Sequence, residues 1–257
     1  MKLGVTLASL RLGIRDAIAR ASTLGLKGFE VDATSGEITY QLSRAGRRNV
    51  LHYSKSCNME ICALSGCFEQ DLSQEEGLEQ LFESTKKLID LAVDFQAPVV
   101  TTVIGTIPSS EGSKAWKRVW EVLNELGKYS ENFERVLATH IGEPSIEELK
   151  KFILGLKTQG IKVAYDPSVM ITRGFDPVKG VKDLKGLIAH AYARDVTKGA
   201  KGFLETVPGD GAVPFKEYIT ALCEIGYTGY YIIKREAAGG RIEDISIAKE
   251  FLERLMI

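Results

Sequence analysis

Residues able to carry chemistry stand at or directly after several short apolar runs of this 257-residue sequence. They comprise Glu30 and Asp32; Gly105; His140 and Glu143; Asp166; His190, Tyr192, Arg194 and Asp195; and Lys234, Arg235 and Glu236. Burying a polar or charged group costs free energy unless the group is paired or solvated. The repeated placement of such groups at the ends of apolar runs therefore predicts a shared polar pocket.

Each candidate also has a structural interpretation. Glu30 could form a hydrogen bond inside the fold, and His140, in ATHIGE, could be a core histidine with satisfied hydrogen bonds. Asp166, in AYDPSV, could cap the turn at Pro167. The position at the end of an apolar run favours the pocket for His140 and Asp166, whereas for Glu30 the structural and the functional interpretations stay equally open.

The last two apolar runs supply further candidates. His190 and Tyr192 are two residues apart, so both should face one side of a strand, with Tyr192 nearer its end. Lys234 follows YYII directly, and the alternative to a pocket role is a lysine that extends from the rim to solvent. Arg235 and Glu236 are interpreted as an ion pair on the rim.

The pair Trp116 and Trp120 has helical spacing and is interpreted as core packing.

The elements that must position these residues alternate along the whole chain. Eight short apolar runs predict strands at 3–7, 28–32, 61–64, 99–104, 136–140, 162–165, 187–193 and 230–233. These runs lack strict alternation of apolar and polar residues, which is typical of parallel strands covered on both faces. Between them, apolar residues recur at three- and four-residue steps and predict amphipathic helices.

Local signals place several helix starts. Ser73 with Glu76, and Ser145 with Glu148, have the spacing of capping boxes, and Asp176-Pro177 is a favourable helix opening. Eight strand–helix units in about 250 residues predict a single (β/α)8 TIM barrel domain over residues 1–257. The alternative is a doubly wound open sheet, but no G-x-G-x-x-G motif follows the first strand.

Composition excludes several classes of partner. There are 33 Lys and Arg against 34 Asp and Glu, a net charge of -1, so no basic excess indicates binding to nucleic acid or an anionic membrane. No run approaches the roughly 18 apolar residues of a membrane span, and the sequence after Leu10 is too charged for a signal peptide. The cysteines lack paired C-x-x-C spacing: Cys57, Cys62, Cys67 and Cys223. We therefore expect a reduced, cytoplasmic protein.

Several segments in order resemble one known family. LGLKGFEVDAT, YDPSVMITRGFDPVKGVKDLKGLIAHAYARD and VPGDGAVPFKEYITALCEIGYTGYYIIKREAAGGRIEDI resemble the xylose isomerase-like barrels, also described as sugar phosphate isomerases/epimerases. Gly209, Gly211, Val213 and Phe215 look like the seventh loop of that group, and GYTGYYIIKRE like its eighth strand. The resemblance implies the barrel fold and a reaction among isomerases, epimerases, dehydratases and lyases.

The resemblance also implies one divalent cation (Mn, Mg or Zn), held by Glu, Asp, His and Glu from strands five to eight. The corresponding residues of this sequence are His140, Asp166, Tyr192 and Lys234, and Val169 stands where a histidine is frequent. If a cation is bound, Asp166 and His140 would be its ligands. An ammonium group would repel a cation, so we expect no cofactor and predict that Lys234 replaces the metal and forms an ion pair with Asp166.

DNA-repair endonucleases of the same fold bind several zinc ions through many histidines, and the 3 histidines of this sequence do not suffice for such sites.

Two hypotheses of function follow. The first is a sugar or keto-sugar isomerase/epimerase, or a related lyase, that moves a proton next to a carbonyl group and works without a metal. His140 and Lys234 would be catalytic, and the substrate, a small sugar or polyol derivative, would be bound by Glu30, Tyr192, Arg194 and Asp166. The alternative is a catalytically inactive barrel that binds a small molecule or a partner protein. The sequence leaves open whether the protein is a monomer or a homodimer.

Overall fold

The computed structural model describes residues 2–34, 36–66, 75–103, 108, 110–140, 145–237 and 242–255, with backbone only at 75 and 76. Four of the residues singled out above lie outside this range: Cys67, Ser73, Gly105 and Glu143. Among the described helices, none combines the length and the apolar character that a membrane crossing requires.

Of the ten strands in the part of the chain that the structure describes, eight are parallel and close into a barrel. The strands in chain order are β1 (Lys2–Thr6), β2 (Gly28–Asp32), β3 (Glu60–Gly66), β4 (Val99–Thr102), β5 (Val136–His140), β6 (Ile161–Tyr165), β7 (Ile188–Ala193), β8 (Asp195–Gly199), β9 (Gly202–Thr206) and β10 (Tyr230–Ile233). The barrel order is β1-β10-β7-β6-β5-β4-β3-β2, and β8 and β9 form a separate antiparallel pair. The predicted (β/α)8 barrel is confirmed, and the open sheet is not formed.

Helices follow the barrel strands. They are α1 (Ile14–Thr23), α2 (Arg44–Ser56), α3 (Glu75–Asp94), α4 (Lys114–Asn132), α5 (Ile146–Gly155), α6 (Pro167–Thr172), α7 (Pro177–Asp183), α8 (Phe215–Glu224) and α9 (Ile242–Arg254), with a 3-10 turn at Leu7–Leu10. Ser145 and Glu148 form the expected capping box on α5, and Asp176 caps α7. Side-chain oxygens at these positions satisfy backbone N–H groups that lack a partner within the helix.

The hydrophobic core lies between the barrel and its helices. It is built from strand residues such as Phe29 and Val163 and from helix residues such as Ile18 and Leu222, all of them fully buried. Trp116 and Trp120 stack with ring centroids 6.4 Å apart and pack against this core, as predicted. A second buried cluster combines small side chains from β3, β4, β5 and β6 with larger ones from β7 and β10: Cys62, Ala63, Val99, Ala138, Ala164, Tyr192, Tyr230 and Ile232.

The hairpin β8–β9 and the short helix α6 were not predicted. The hairpin pairs Asp195 with Thr206 and Gly199 with Gly202 directly after β7. Its outer part is exposed, with Leu204 at 62 %, so it lacks the buried face whose alternation would mark a strand. Helix α6 has only six residues, too few to show a helical period.

Candidate active site

Glu30 of β2 is a buried carboxylate surrounded by hydrogen-bond partners. Its Oε2 lies 2.6 Å from Nε2 of His190, its Oε1 accepts from the Tyr192 hydroxyl at 3.0 Å, and Thr101 donates to Oε1 at 3.4 Å. Burial alone would raise the pKa of Glu30, but the charge of His190 and its hydrogen bond, with Lys234 adding to them, lower this pKa from 4.5 to about 2. Glu30 is therefore held as a carboxylate.

Tyr192 of β7 joins the other members of the site. Besides its bond to Glu30, its hydroxyl lies 3.5 Å from Nε2 of His140, and the two rings stack with centroids 5.4 Å apart. The ammonium of Lys234 lies 5.2 Å from the centroid of the same phenol ring. Burial raises the pKa of Tyr192 well above its usual value. The phenol therefore keeps its proton and packs against both an imidazole and a cation.

His140, the last residue of β5, is held as a neutral base. Burial lowers its pKa, the charge of Lys234 lowers it further, and the carboxylates of Glu30 and Asp166 oppose them, so the pKa falls from 6.5 to about 4. At neutral pH the imidazole is unprotonated on one nitrogen and can accept a proton.

The predicted ion pair between Lys234 and Asp166 is wrong. The Lys234 ammonium lies 3.4 Å from Glu236, whose other oxygen accepts a hydrogen bond from Thr6 at 2.8 Å. Asp166 caps α6 and accepts from both the N–H and the hydroxyl of Ser168, while its second oxygen faces Arg194 at 3.5 Å. Lys234 therefore pairs with a carboxylate of its own segment, and Asp166 is held by Ser168 and Arg194.

Glu205 of β9 is a member of the site that the sequence analysis missed. It accepts from Arg194 Nε at 2.8 Å, from Arg235 Nη1 at 3.0 Å and from the N–H of Ala237 at 2.9 Å. Arg235 also binds Asp244 at 3.1 Å, so the predicted ion pair of Arg235 with Glu236 is wrong. A single acidic residue in a hairpin without apolar periodicity gives no signal in the sequence.

Asp195 serves the backbone of the loop that follows β7. One oxygen accepts from the N–H groups of Val196 at 2.8 Å and Val213 at 3.0 Å, and the other from Gly209 at 3.0 Å and Gly211 at 2.9 Å. A side chain at Gly211 would collide with this carboxylate. Asp195 therefore shapes the loop whose glycines the sequence analysis noted.

The structure brings the predicted site residues together at the carboxyl ends of the barrel strands. Glu30, His140 and Lys234 all contact Tyr192, and Asp166, which is paired with Arg194, is close enough to influence the pKa of His140. Across the described ranges, no group of three or more His, Cys, Asp or Glu residues could hold a metal ion. The arrangement offers a neutral base, an ammonium and a carboxylate–guanidinium pair.

Comparisons with known proteins agree with the barrel fold. The chain is 26 % identical over 253 residues to the inosose dehydratase of Clostridium tetani (strain Massachusetts / E88), covering 90 % of this chain and 85 % of that protein. Two solved structures are similar in fold. D-psicose 3-epimerase in the presence of D-fructose has a TM-score of 0.82 at 16 % identity and covers 100 % of this chain and 99 % of that one. The IOLI protein with a binding zinc atom has a TM-score of 0.82 at 18 % identity, covering 99 % and 98 %.

A family model supplies the assignment. The model described as xylose isomerase-like TIM barrel matches residues 18–255, which includes every strand of the barrel except β1. The similar proteins named above include a dehydratase and an epimerase, which are sugar-processing enzymes of the kind that the family resemblance implied. This chain belongs to the xylose isomerase-like TIM barrel family.

Proposed function

We propose that this protein is an enzyme that isomerises, epimerises or dehydrates a small sugar or keto-polyol by moving a proton on the carbon next to a carbonyl group. One observation carries the proposal: the His140 ring and the Lys234 ammonium both pack against Tyr192, at 5.4 and 5.2 Å from its centroid. A base and a cation that share one neighbouring ring can remove a proton and stabilise the negative charge that results. The names inosose dehydratase and D-psicose 3-epimerase support the same substrate class.

The reaction begins when His140 takes the proton from the carbon beside the carbonyl. The electron pair of the broken C–H bond moves into the carbonyl group and leaves an enediolate, whose oxygen the Lys234 ammonium stabilises. Return of the proton from His140 to the former carbonyl carbon, with the hydroxyl proton passing to the other oxygen, gives an isomer. Delivery of a proton from solvent to the opposite face of the first carbon gives an epimer, and His140 then releases its proton to solvent. In a dehydration, the enediolate re-forms the carbonyl as the hydroxyl of the next carbon leaves as water with the proton that His140 took up.

We propose further that this chemistry needs no divalent cation. The residues at the four positions where the family resemblance implies ligands are His140, Asp166, Tyr192 and Lys234. An ammonium has no lone pair to donate, and the pKa of Tyr192 is raised, so its phenol stays protonated. Only two donors remain, and Asp166 already binds Arg194. This donor set does not fit Mn, Mg or Zn, and Lys234 supplies the positive charge instead.

Arg194 and Asp166 are proposed to bind hydroxyl groups of the substrate. Together they offer guanidinium donors and carboxylate acceptors, the complement of a polyol. Arg194 contacts two carboxylates, Asp166 at 3.5 Å and Glu205 at 2.8 Å. Its charge is therefore already neutralised, which favours an uncharged sugar over a sugar phosphate.

Exchange of substrate protons with solvent tests the proposal. Wild-type protein is incubated in D2O with a panel of inososes and ketohexoses, and loss of the proton beside the carbonyl is followed by proton NMR. We expect His140→Gln and Lys234→Met each to slow the exchange by about 100-fold or more. Lys216→Met, which removes an exposed lysine of α8, is the matched control and should leave the rate unchanged.

Two results would contradict the proposal. Exchange that proceeds equally well in both variants would remove His140 and Lys234 from the chemistry. Saturable binding of a sugar without any exchange would support the inactive binding protein instead. Dialysis against a chelator tests the cation separately, because exchange should survive it and should not rise when Mn, Mg or Zn is added.

A further inference from the structure

The Tyr192 hydroxyl has a single proton, and its hydrogen-bond acceptor is Glu30. Glu30 is buried, its carboxylate Oε2 lies 2.6 Å from His190, and its Oε1 lies 3.0 Å from the Tyr192 oxygen. An ionised carboxylate can only accept hydrogen bonds. The phenol proton must therefore point to Glu30, and the Tyr192 oxygen can act toward any other neighbour only as an acceptor.

The Tyr192 oxygen has two other neighbours, the Thr101 hydroxyl, which can donate to it, and His140. Its Nε2 lies 3.5 Å from the Tyr192 oxygen, and the rings are nearly parallel, with 19° between their planes. Such contacts are often long before substrate binds and shorten in the complex. If the phenol can only accept, Nε2 must carry the proton of the neutral imidazole, and the lone pair is left on Nδ1.

We propose that Glu30, acting through Tyr192, fixes His140 in the tautomer with its proton on Nε2, so that Nδ1 is the atom that takes the proton from the substrate. Glu30 is thus a positioning residue, not a ligand of substrate hydroxyls. The role of Nδ1 rests on the proposed function, whereas the tautomer does not. Among the described residues, no hydrogen bond to the His140 ring competes with the contact between Nε2 and the Tyr192 oxygen.

The same arrangement accounts for the charge that forms during the reaction. When Nδ1 takes the proton of the C–H bond, the electron pair moves to the carbonyl oxygen and His140 becomes an imidazolium. The Lys234 ammonium disfavours this cation, and the carboxylates of Glu30 and Asp166 favour it. A buried acid that orients and stabilises a catalytic imidazole is the logic of the hydrolase triads, here with a tyrosine between the acid and the base.

Nitrogen NMR of the substrate-free protein tests the tautomer. The chain contains three histidines, of which His52 is exposed and serves as an internal reference, so labelling histidine with 15N gives few signals. In the wild type at neutral pH, we expect Nε2 of His140 to show the shift of a protonated nitrogen and Nδ1 that of an unprotonated one. Its Hε2 proton should show a nuclear Overhauser effect to the Tyr192 ring.

Two variants interrupt the series of hydrogen bonds from Glu30 through Tyr192 to His140 at different points. In Glu30→Gln, the new amide can donate to the Tyr192 oxygen, which frees the phenol proton to turn toward His140, so the Nδ1-protonated form should increase. Because this variant also removes the charge facing His190 and can fail to fold, Tyr192→Phe is the second. It leaves Glu30 and His190 intact, and the Hε2 signal of His140 should lose its protection from exchange. Glu217→Gln, an exposed change on α8, should alter nothing.

The outcomes separate this inference from the proposed function. A wild-type His140 protonated on Nδ1, or tautomers that stay unchanged in both variants, would overturn it whether or not a substrate is known. Once a substrate is known, Glu30→Gln should lower kcat by about 100-fold with little change in KM, since a misplaced base slows the chemical step. A purely structural role would leave the tautomer as it is. Absence of exchange with any sugar would contradict the proposed function alone.

Discussion

Asp195 shows how a carboxylate after a barrel strand can act on the backbone and not on a ligand. Its two oxygens accept four N–H groups from residues up to 18 positions further along the chain. A neutral amide can accept at only one of its two ends. Two of the four N–H groups would then lose their acceptor.

Asp195→Asn should therefore lower the free energy of unfolding by about 2–3 kcal/mol, since hydrogen bonds to a charged group contribute more than neutral ones. Urea unfolding followed by circular dichroism measures the change. Asp210→Asn, an exposed change on the same loop, should stay within about 0.5 kcal/mol of the wild type. Equal stability of the two variants would show that the loop holds its shape without the carboxylate.

The residue types of the site were predicted from the sequence better than their partners were. Position at the carboxyl end of a strand identified Glu30, His140, Tyr192 and Lys234, because buried strands rarely end in such groups without purpose. Their pairing depends on side-chain directions in the following loops. Lys234 contacts Glu236 and not Asp166 for that reason.

At the scale of elements, the hairpin β8–β9 positions the arginines of the site. Glu205 of β9 binds Arg194 after β7 and Arg235 after β10, and it also accepts from the N–H of Ala237. Although burial raises the pKa of Glu205, the Ala237 N–H and the two guanidinium groups lower it below its usual value. One carboxylate thus connects three segments of the chain.

Glu205→Gln should loosen these segments without unfolding the barrel. A neutral amide cannot balance two guanidinium groups, so amide hydrogens of residues 195–206 and of Ala237 should exchange faster, as measured by hydrogen–deuterium exchange with mass spectrometry. Glu217→Gln on α8 is the matched control. Unchanged exchange over 195–206 in the Glu205 variant would mean that the ladder of β8 and β9 alone holds the hairpin.

Strand positions were predicted where burial alone determines them. The ranges Gly28–Asp32, Val136–His140 and Tyr230–Ile233 agree with the structure at both ends. The hairpin has no such signal, because its residues are stabilised by antiparallel pairing and by Glu205 and not by an apolar face. The local pattern of apolar residues therefore predicted the barrel strands and not the β8–β9 hairpin.

At the scale of the whole molecule, closure of the barrel unites residues that are far apart in sequence. Glu30 and Tyr192 are 162 positions apart and share a hydrogen bond. The rhythm of strands and helices predicts the closed barrel, and closure places the carboxyl ends of all eight strands around one opening. Sequence can therefore predict that these residues meet, while the bonds they form depend on side-chain directions that are set only in the folded protein.

The same buried carboxylate should make the stability of the barrel depend on pH. The pKa of Glu30 is about 2 in the folded protein against an ordinary 4.5. As the pH falls below 4.5, the unfolded chain takes up a proton that the folded protein does not, so Glu30 stabilises the fold above this pH and loses that contribution as the pH falls toward 2.

Glu30→Gln removes this contribution of Glu30 to the pH dependence of stability. Between pH 5 and about 3, the free energy of unfolding of the wild type should fall more steeply than that of the variant, by up to about 1.4 kcal/mol per pH unit. Urea unfolding at a series of pH values measures both slopes, with Glu217→Gln expected to retain the wild-type slope. Parallel slopes for the wild type and Glu30→Gln would show that Glu30 is not held as a carboxylate in the folded barrel, and the fixed direction of the Tyr192 proton would then lose its basis.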